Sequence, residues 1–391
     1  MPRINRTLNL PGMRIEKTEG LHNLHHVVSC RQTVSCPDCG GNDLRNKGYF
    51  TRRARHESVG RRSVTLTVKG RKYHCRSCGR YFREQFKGIQ RYKRATEAFR
   101  KEVFYDHLVG VCQRDLGKQH KISTSTVERW FHDYYYLENQ KIKSRMCPRI
   151  LGIDEHSFSK NHQYATTFCD LHKRRVFDVV LGHSEADLRN FLESLQGRDR
   201  VRVVCIDLSN TYRSIVAKYF PNAKIVADRF HVIRLANQMF MKTWQSIDGK
   251  QKYNRGMLRI MRSKPENLSD KDKNKLAAYL DKEPAIAALY EFKQKLYQLF
   301  MHKKQTAKKC RLHIRKLFKY INMLKDSGFK HMKTLAKTLD SWKEEIARMW
   351  RFTKNNGITE GFHRKMKLIQ RRAYGFRNFE NYRLRVKILC G

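Results

Sequence analysis

Apolar and polar positions change period several times along the chain, and the changes divide it. Ser63–Val68 alternates Val and Leu with Ser and Thr, as a half-buried strand does. From Arg91 the period lengthens. Ala98, Phe99, Val103, Phe104, His107, Leu108 and Val111 recur at helical spacing, and Gln113–His120 continues as a second helix. Ser123 or Thr124 then offers an N-cap for a third helix beginning at Ser125, whose Val127, Trp130 and Phe131 would turn inward. From Arg149 short apolar runs take over. Ile150–Asp154, Tyr164–Asp170 and Arg175–Leu181 read as strands, Glu185–Leu195 as a helix, Val201–Asp207 as a buried strand, Asn210–Phe220 as a helix and Ala223–Asp228 as a fifth strand. Between about Leu235 and Trp350 the pattern is helical, as in Leu289, Phe292, Leu296, Leu299 and Phe300. A last helix opens at Glu360, capped by Thr359, with Phe362, Met366 and Ile369 as its apolar stripe.

Three strands, helix, strand, helix, strand is the order of an RNase H-like mixed sheet, in which the first and fourth strands lie side by side. The expected architecture is multidomain α/β. It comprises an N-terminal segment and zinc ribbon (1–88), a helix-turn-helix (89–147), a first part of the catalytic core (148–234), a helical insertion (235–352) and the closing helix with the C-terminus (353–391).

Charge narrows the function. The 391 residues hold 83 Lys and Arg against 36 Asp and Glu, a net +47. An excess of this size repels itself unless a polyanion neutralises it, and nucleic acid is the matching polyanion. The bases are interleaved with Phe, Tyr, Trp and Leu; from Met301 onward 25 Lys and Arg face 6 Asp and Glu, so the charge belongs to folded elements. No apolar run is long enough to span a bilayer, and no signal-like segment follows Met1, which points to a cytoplasmic, nucleoid-associated protein without a membrane partner.

Among 11 cysteines, Cys36, Cys39, Cys75 and Cys78 form two CxxC pairs, each followed by Gly. Two such knuckles present four thiolates to a structural Zn²⁺, and the glycine relieves the backbone where amides turn toward sulfur. The 35 residues between Cys39 and Cys75 require antiparallel strands to bring the knuckles together. On the third helix, Ser125, Thr126, Arg129 and His132 fall on the polar face, where a recognition helix would meet a DNA groove.

Asp154 and Asp207 end the first and fourth strands, so they would point at one site and need a cation between them. Hard oxygen ligands suit Mg²⁺ or Mn²⁺, and phosphoryl-transfer sites of this kind hold two ions. The third carboxylate expected from a helix beside the sheet is Glu360; Arg364, Lys367 and Arg371 follow on or near its face as phosphate contacts. Asp228, ending the fifth strand, would support the cluster from behind, holding Arg229 and His231.

Gly152–Ser157, Ile206–Ser209, Ala227–Val232 and Thr359–Gly361, behind a zinc ribbon and a helix-turn-helix, resemble the insertion-sequence transposases of the ISL3 family over nearly the whole chain. The resemblance implies that Asp154, Asp207 and Glu360 are a DDE triad. It also implies that the substrates are the element's terminal inverted repeats and target DNA, and that paired ends are held by a homodimer or larger assembly. The Glu360-to-Lys367 spacing resembles a Glu-x6-Lys pattern in other DDE transposases; where those relatives carry Arg four residues before the Glu, this chain has Asn356. Two other functions share parts of the pattern. An RNase H-like nuclease would cleave without joining, and a catalytically silent zinc-ribbon/helix-turn-helix regulator would only bind.

Overall fold

A computed structural model describes residues 8–30, 32–143, 146–158, 163–352 and 357–391. The chain divides into two compact units, Met1–Glu138 with Arg372–Gly375, and Asn139–Arg371 with Phe376–Gly391.

Unit 1 begins with strands β1 (Met13–Glu19), β2 (Asn23–Cys30), β3 (Leu44–Val59), β4 (Arg62–Cys75) and β5 (Tyr81–Arg83). They form a mixed sheet in the order β1-β2-β4-β3, with β5 also on β4. β3 and β4 make a long antiparallel hairpin whose register runs from Val59↔Arg62 at the turn to Leu44↔Cys75 at the far end. Leu10, Met13, Val28, Ala54, Val64, Leu66, Val68 and Phe86 fill the core of this sheet. Its first two strands are not legible as such in the sequence, because His26 takes an inward position in β2 and β1 is exposed from Glu16 onward, so neither shows a clean apolar alternation.

Helices α1 (Glu97–Leu108), α2 (Gln113–His120) and α3 (Thr124–Lys143) follow. Thr96 caps α1 by accepting from the Phe99 amide, an interaction of about 1 kcal/mol. The link from α2 to α3 is short: Lys121 takes the left-handed conformation, and Ser123 Oγ accepts from the Thr126 amide at 3.2 Å. Ser123, not Thr124, is the cap. Gly117 allows the close approach at this link, since a Cβ there would meet the Ile122 carbonyl oxygen at 3.0 Å. Phe99, Val103, Leu116, Val127 and Trp130 form the shared core of the three helices.

Unit 2 is built on β6 (Ile150–Ser157), β7 (Tyr164–Asp170), β8 (Arg175–Leu181), β9 (Val203–Ile206) and β10 (Lys224–Ala227), with α4 (Glu185–Ser194) and α5 (Asn210–Tyr219) between them. The strand order is β10-β9-β6-β7-β8. β6, β7 and β8 are antiparallel neighbours, whereas β6, β9 and β10 run parallel. The crossover helices α4 and α5 bury Leu188, Leu192, Ile215 and Val216 against the sheet, as parallel connections demand.

Seven helices then intervene: α6 (Arg229–Ile247), α7 (Arg255–Arg262), α8 (Asp270–Lys282), α9 (Pro284–Met301), α10 (Ala307–Asp326), α11 (Lys330–Ser341) and α12 (Lys343–Arg351). They extend the core around Phe240, Leu296, Phe300, Leu317, Leu335, Ile346 and Trp350. The chain returns to the sheet through α13 (Gly357–Arg372) and α14 (Phe379–Cys390), which pack Met366, Ile369, Tyr382 and Val386 over Ala165, Cys169, Val176 and Val179. Each fully buried apolar side chain of this set contributes about 1.5–3 kcal/mol. Among the described residues, no helix is long and apolar enough to cross a membrane.

Candidate active site and thiolate centre

The β3–β4 hairpin solves the spacing problem of the cysteines. Its open end pairs Leu44 with Cys75, so the Cys36–Cys39 knuckle just before β3 meets the Cys75–Cys78 knuckle just after β4. In each knuckle the glycine amide closes a turn on the first cysteine, Gly40 on the Cys36 carbonyl and Gly79 on the Cys75 carbonyl, both at 2.9 Å. Both glycines have positive φ, 70° and 74°. Cys36 and Cys78 Sγ are 3.5 Å apart, and Cys39 and Cys75 Sγ 3.6 Å. All four sulfurs lie within 4.8 Å of one another, and among the described residues no other His, Cys, Asp or Glu group of three or more does so. The Cys39 amide, against the opposing effect of burial, holds the Cys36 thiol below its ordinary range. Four converging sulfurs with no competing base fit a tetrahedral Zn²⁺.

The carboxylate site follows from strand register. Gly152 pairs with Cys205, and Ile206 with Ala227. Continuing those parallel registers sets Asp154, Asp207 and Asp228 in a row across β6, β9 and β10. Asp154 and Asp228 are buried, and Asp207 is partly so. Burial first, then the charges of Asp207 and Asp228, push the Asp154 carboxyl up to about 7, with His231 opposing. Asp207 is raised in the same way, mainly by burial. His231 at the start of α6 is the basic group facing the row. Its Nδ1 lies 2.8 Å from Asp228 Oδ2, and that bond, supported by the charges of Asp154 and Asp207, raises the imidazole pKa. Asp228 thus holds His231, and the neighbouring Arg229 guanidinium donates to the His302 and Met349 carbonyls.

One buried oxygen of the row, Asp207 Oδ1, has no hydrogen-bond partner among the described residues. A desolvated, unpaired carboxylate oxygen beside a second buried carboxylate is costly unless a cation occupies the space. Asp154 and Asp207 therefore fit a hard divalent ion.

Helix α13 supplies the rest of the wall. It starts at Gly357, three residues earlier than the capping pattern suggests, so Glu360 stands in its first turn. Thr359 is fully buried within the helix instead of capping it. Asn356, which with Gly357 has the sequence of a turn, lies outside the described residues, and Gly357 is already helical. One turn after Glu360, the half-buried His363 reaches Asp154, with Nδ1 3.8 Å from Oδ2, and its Nε2 is 3.2 Å from Thr167 Oγ1. Thr167 Oγ1 in turn meets His156 Nδ1 at 3.0 Å, and His156 Nε2 meets the Tyr382 hydroxyl at 2.8 Å. Burial pushes His363 down to about 4 and His156 to about 3, so both are neutral links in this chain. The sequence carries a single signal of this network. It is the spacing of three from Glu360 to His363, which puts both on one face of the helix.

Glu360 stands on the same helix one turn before His363, and its Oε1 accepts from Arg364 at 3.0 Å. Arg364, Lys367 and Arg371 are exposed along α13. In unit 1, Ser125, Arg129 and His132 are exposed on α3 and Thr126 is half-buried, its hydroxyl accepting from Arg129 at 3.2 Å. Val127, Trp130 and Phe131 are buried behind them.

The profile of a family described as transposase, the ISL3-type DDE transposases, matches residues 151–386. A second profile, described as zinc-finger of transposase IS204/IS1001/IS1096/IS1165, matches residues 32–78. The transposase for insertion sequence element IS1001 of Bordetella parapertussis is 24% identical over 377 residues, covering 91% of this chain and 88% of that protein. The transposase for IS1557 of Mycobacterium tuberculosis is 23% identical over 260 residues, 59% of this chain and 57% of that protein. The first profile spans well over half of the chain and contains the whole carboxylate row with the helix that faces it; the chain belongs to the ISL3 family of insertion-sequence DDE transposases.

Proposed function

We propose that this protein binds the terminal inverted repeats of its own insertion sequence, cuts at their ends and joins the freed strands to target DNA. The observation that carries the reading is the parallel register that lines up Asp154, Asp207 and Asp228, with an unpaired buried oxygen on Asp207, beside the helix bearing Glu360. The sheet order β10-β9-β6-β7-β8 supports reading unit 2 as an RNase H-like catalytic core that begins at 148–234, is split by a helical insertion at 235–352 and has its last part at 353–391. The three helices of unit 1 are read as a helix-turn-helix within 89–147, behind a zinc-bearing segment at 1–88.

Asp154, Asp207 and Glu360 would hold Mg²⁺ or Mn²⁺, two ions per site. When bound, the metal supplies charge neutralisation for phosphoryl transfer between oxygens. The chain's own residues do the remaining work. Asp228 holds His231 against the aspartates and raises its pKa, which favours a positive charge beside the row of three carboxylates before DNA arrives. His363 and Thr167 fix the approach of α13 to Asp154. Arg364, Lys367 and Arg371 line the exposed face of that helix as phosphate contacts, and Glu360, paired here with Arg364, would have to leave that pair to serve as a metal ligand. Ser125, Thr126, Arg129 and His132 present hydroxyl, guanidinium and imidazole groups to base edges and phosphates of the repeats. Two ends cut in concert require a homodimer or larger assembly, acting on nucleoid DNA in the cytoplasm.

The test is an assay on duplexes carrying the element's ends, scored separately for binding, cleavage and joining with Mg²⁺ or Mn²⁺. Glu360→Gln should bind the ends and neither cut nor join them. Cleavage by the unaltered protein without any joined product would make it a nuclease and end the proposal.

A further inference from the structure

Helix α10 lies in the insertion and carries none of the residues assigned above. Between Glu291 and Asp326 the chain carries no acidic residue over 34 positions, and 11 of those positions are Lys or Arg. The helix buries Cys310, Leu317, Ile321 and Leu324 along one side. Opposite them, Lys308, Lys309, Arg311, Arg315, Lys316 and Lys319 are all exposed. Among the described residues none of the six has an acidic partner within ion-pair distance, unlike the bases on neighbouring helices: Lys295 pairs with Glu291, Lys273 with Asp270, Arg259 with Asp272 and Arg348 with Glu344.

A solvated surface helix mixes its signs, because like charges three or four residues apart repel. Here Lys308–Arg311, Arg311–Arg315 and Arg315–Lys319 stack the same sign along one face. That arrangement costs the free protein stability and is relieved by a polyanion. The geometry suits a duplex. By the helical rise, Lys308 to Lys319 spans about 16 Å, along which one strand of B-DNA presents about five phosphates. A second copy of the same face would be repelled by it.

We propose that the outer face of α10 is a second DNA-binding surface, which grips duplex phosphates without reading sequence. The choice of DNA as the polyanion rests on the joining reaction proposed above. Such a surface would hold duplex beyond the end sequence recognised by the helices of unit 1.

The experiment compares the full-length protein with a variant carrying Lys308→Gln, Arg311→Gln, Arg315→Gln, Lys316→Gln and Lys319→Gln. Affinity is measured against salt on a duplex containing the element's end and on an unrelated duplex of equal length. Every phosphate that is no longer neutralised by a base lowers the slope of log affinity against log salt by about 0.9, so a fall of about three to five is expected on both duplexes. Affinity at fixed salt should fall about 10- to 1,000-fold on both, leaving the ratio between them unchanged. A charge-keeping variant, Lys308→Arg with Lys316→Arg and Lys319→Arg, should retain the parent slope. An unchanged slope in the Gln variant overturns the proposal. Independently of any folding defect, Leu312→Cys in the otherwise unaltered chain, carrying a photo-crosslinker on this exposed face, should crosslink to duplex DNA. Its failure to do so, or crosslinking only to a second protein copy, also overturns it. Loss of preference for end over unrelated duplex in the unaltered protein would instead count against the function proposed above, while the salt slope still tests α10.

Discussion

The four cysteines of unit 1 and the acidic residues of unit 2 are both gathered from positions far apart in the chain, yet they reach different degrees of assembly. The sulfurs converge closely, because two rigid knuckles close on their own glycine amides and a hairpin fixes their distance. The carboxylates stop short. Register aligns the three aspartates, but Glu360 arrives on a helix and settles on Arg364. Thiols can be neutral while they wait, whereas buried carboxylates repel unless something positive stands among them. His231, whose pKa these carboxylates raise, faces them, and Asp207 Oδ1 has no hydrogen-bond partner among the described residues. A structural site is finished by its fold; a catalytic site is left open for ion and substrate to complete.

The sharpest way to break this comparison is to remove a ligand from each side. Cys75→Ser should cost unit 1 most of its stability, since zinc binding in small four-ligand domains supplies on the order of 10 kcal/mol. Hydrogen exchange should show β3 and β4 losing protection while β6 to β10 keep theirs; equal loss in both sheets would contradict it. In unit 2, Asp207→Asn should abolish cleavage with little change in melting temperature without metal, because it removes an unpaired buried charge. A large drop in that temperature would mean Asp207 is a structural residue.

His363→Ala comes next. It should lower kcat about 10- to 100-fold, the scale of other outer positioning partners, with binding to the ends unchanged and partial recovery in His363→Gln. An effect confined to KM would show that His363 serves binding instead. The pH prediction concerns unit 1. Burial pushes His56 down to about 4, and its Nδ1 lies 2.9 Å from Thr96 Oγ1. A depressed folded pKa means the neutral ring is favoured. The stabilisation is therefore present above the unfolded value of about 6.5 and is lost as pH falls through 4, by at most about 3 kcal/mol. Chemical denaturation of unit 1 between these pH values should show the loss, and His56→Gln should flatten it. The smallest effect belongs to Arg364→Gln. Its pair with Glu360 is exposed and spaced i,i+4, so stability should move by less than about 0.5 kcal/mol while end binding becomes less salt-dependent.

What can be read in the sequence follows the same division. The knuckles are legible because all four ligands sit in two short motifs. The aspartates are legible because buried strands announce themselves as apolar runs: Asp207 and Asp228 directly follow β9 and β10, whereas Asp154, expected to end its strand, lies inside β6, which runs on to Ser157 because residues 154–157 keep pairing with β7. β1 and β2 escape, since their pattern is diluted by His25, His26 and Lys17. The start of α13 at Gly357 is displaced because Thr359, a good cap by type, is spent in the core. The His363–Thr167–His156–Tyr382 network cannot be read as a whole: it joins four elements, and only packing brings them within hydrogen-bond reach.

Asp154, Asp207 and Glu360 serving one metal centre is the claim on which the rest depends. Fe²⁺ substituted for Mg²⁺ and activated with ascorbate cuts the backbone next to whatever holds it, and mass spectrometry locates the cuts. Cuts clustered at 154, 207 and 360 together, all suppressed by excess Mg²⁺, are the result predicted. Cuts near the aspartates with none near Glu360, in the presence of end DNA, would contradict it.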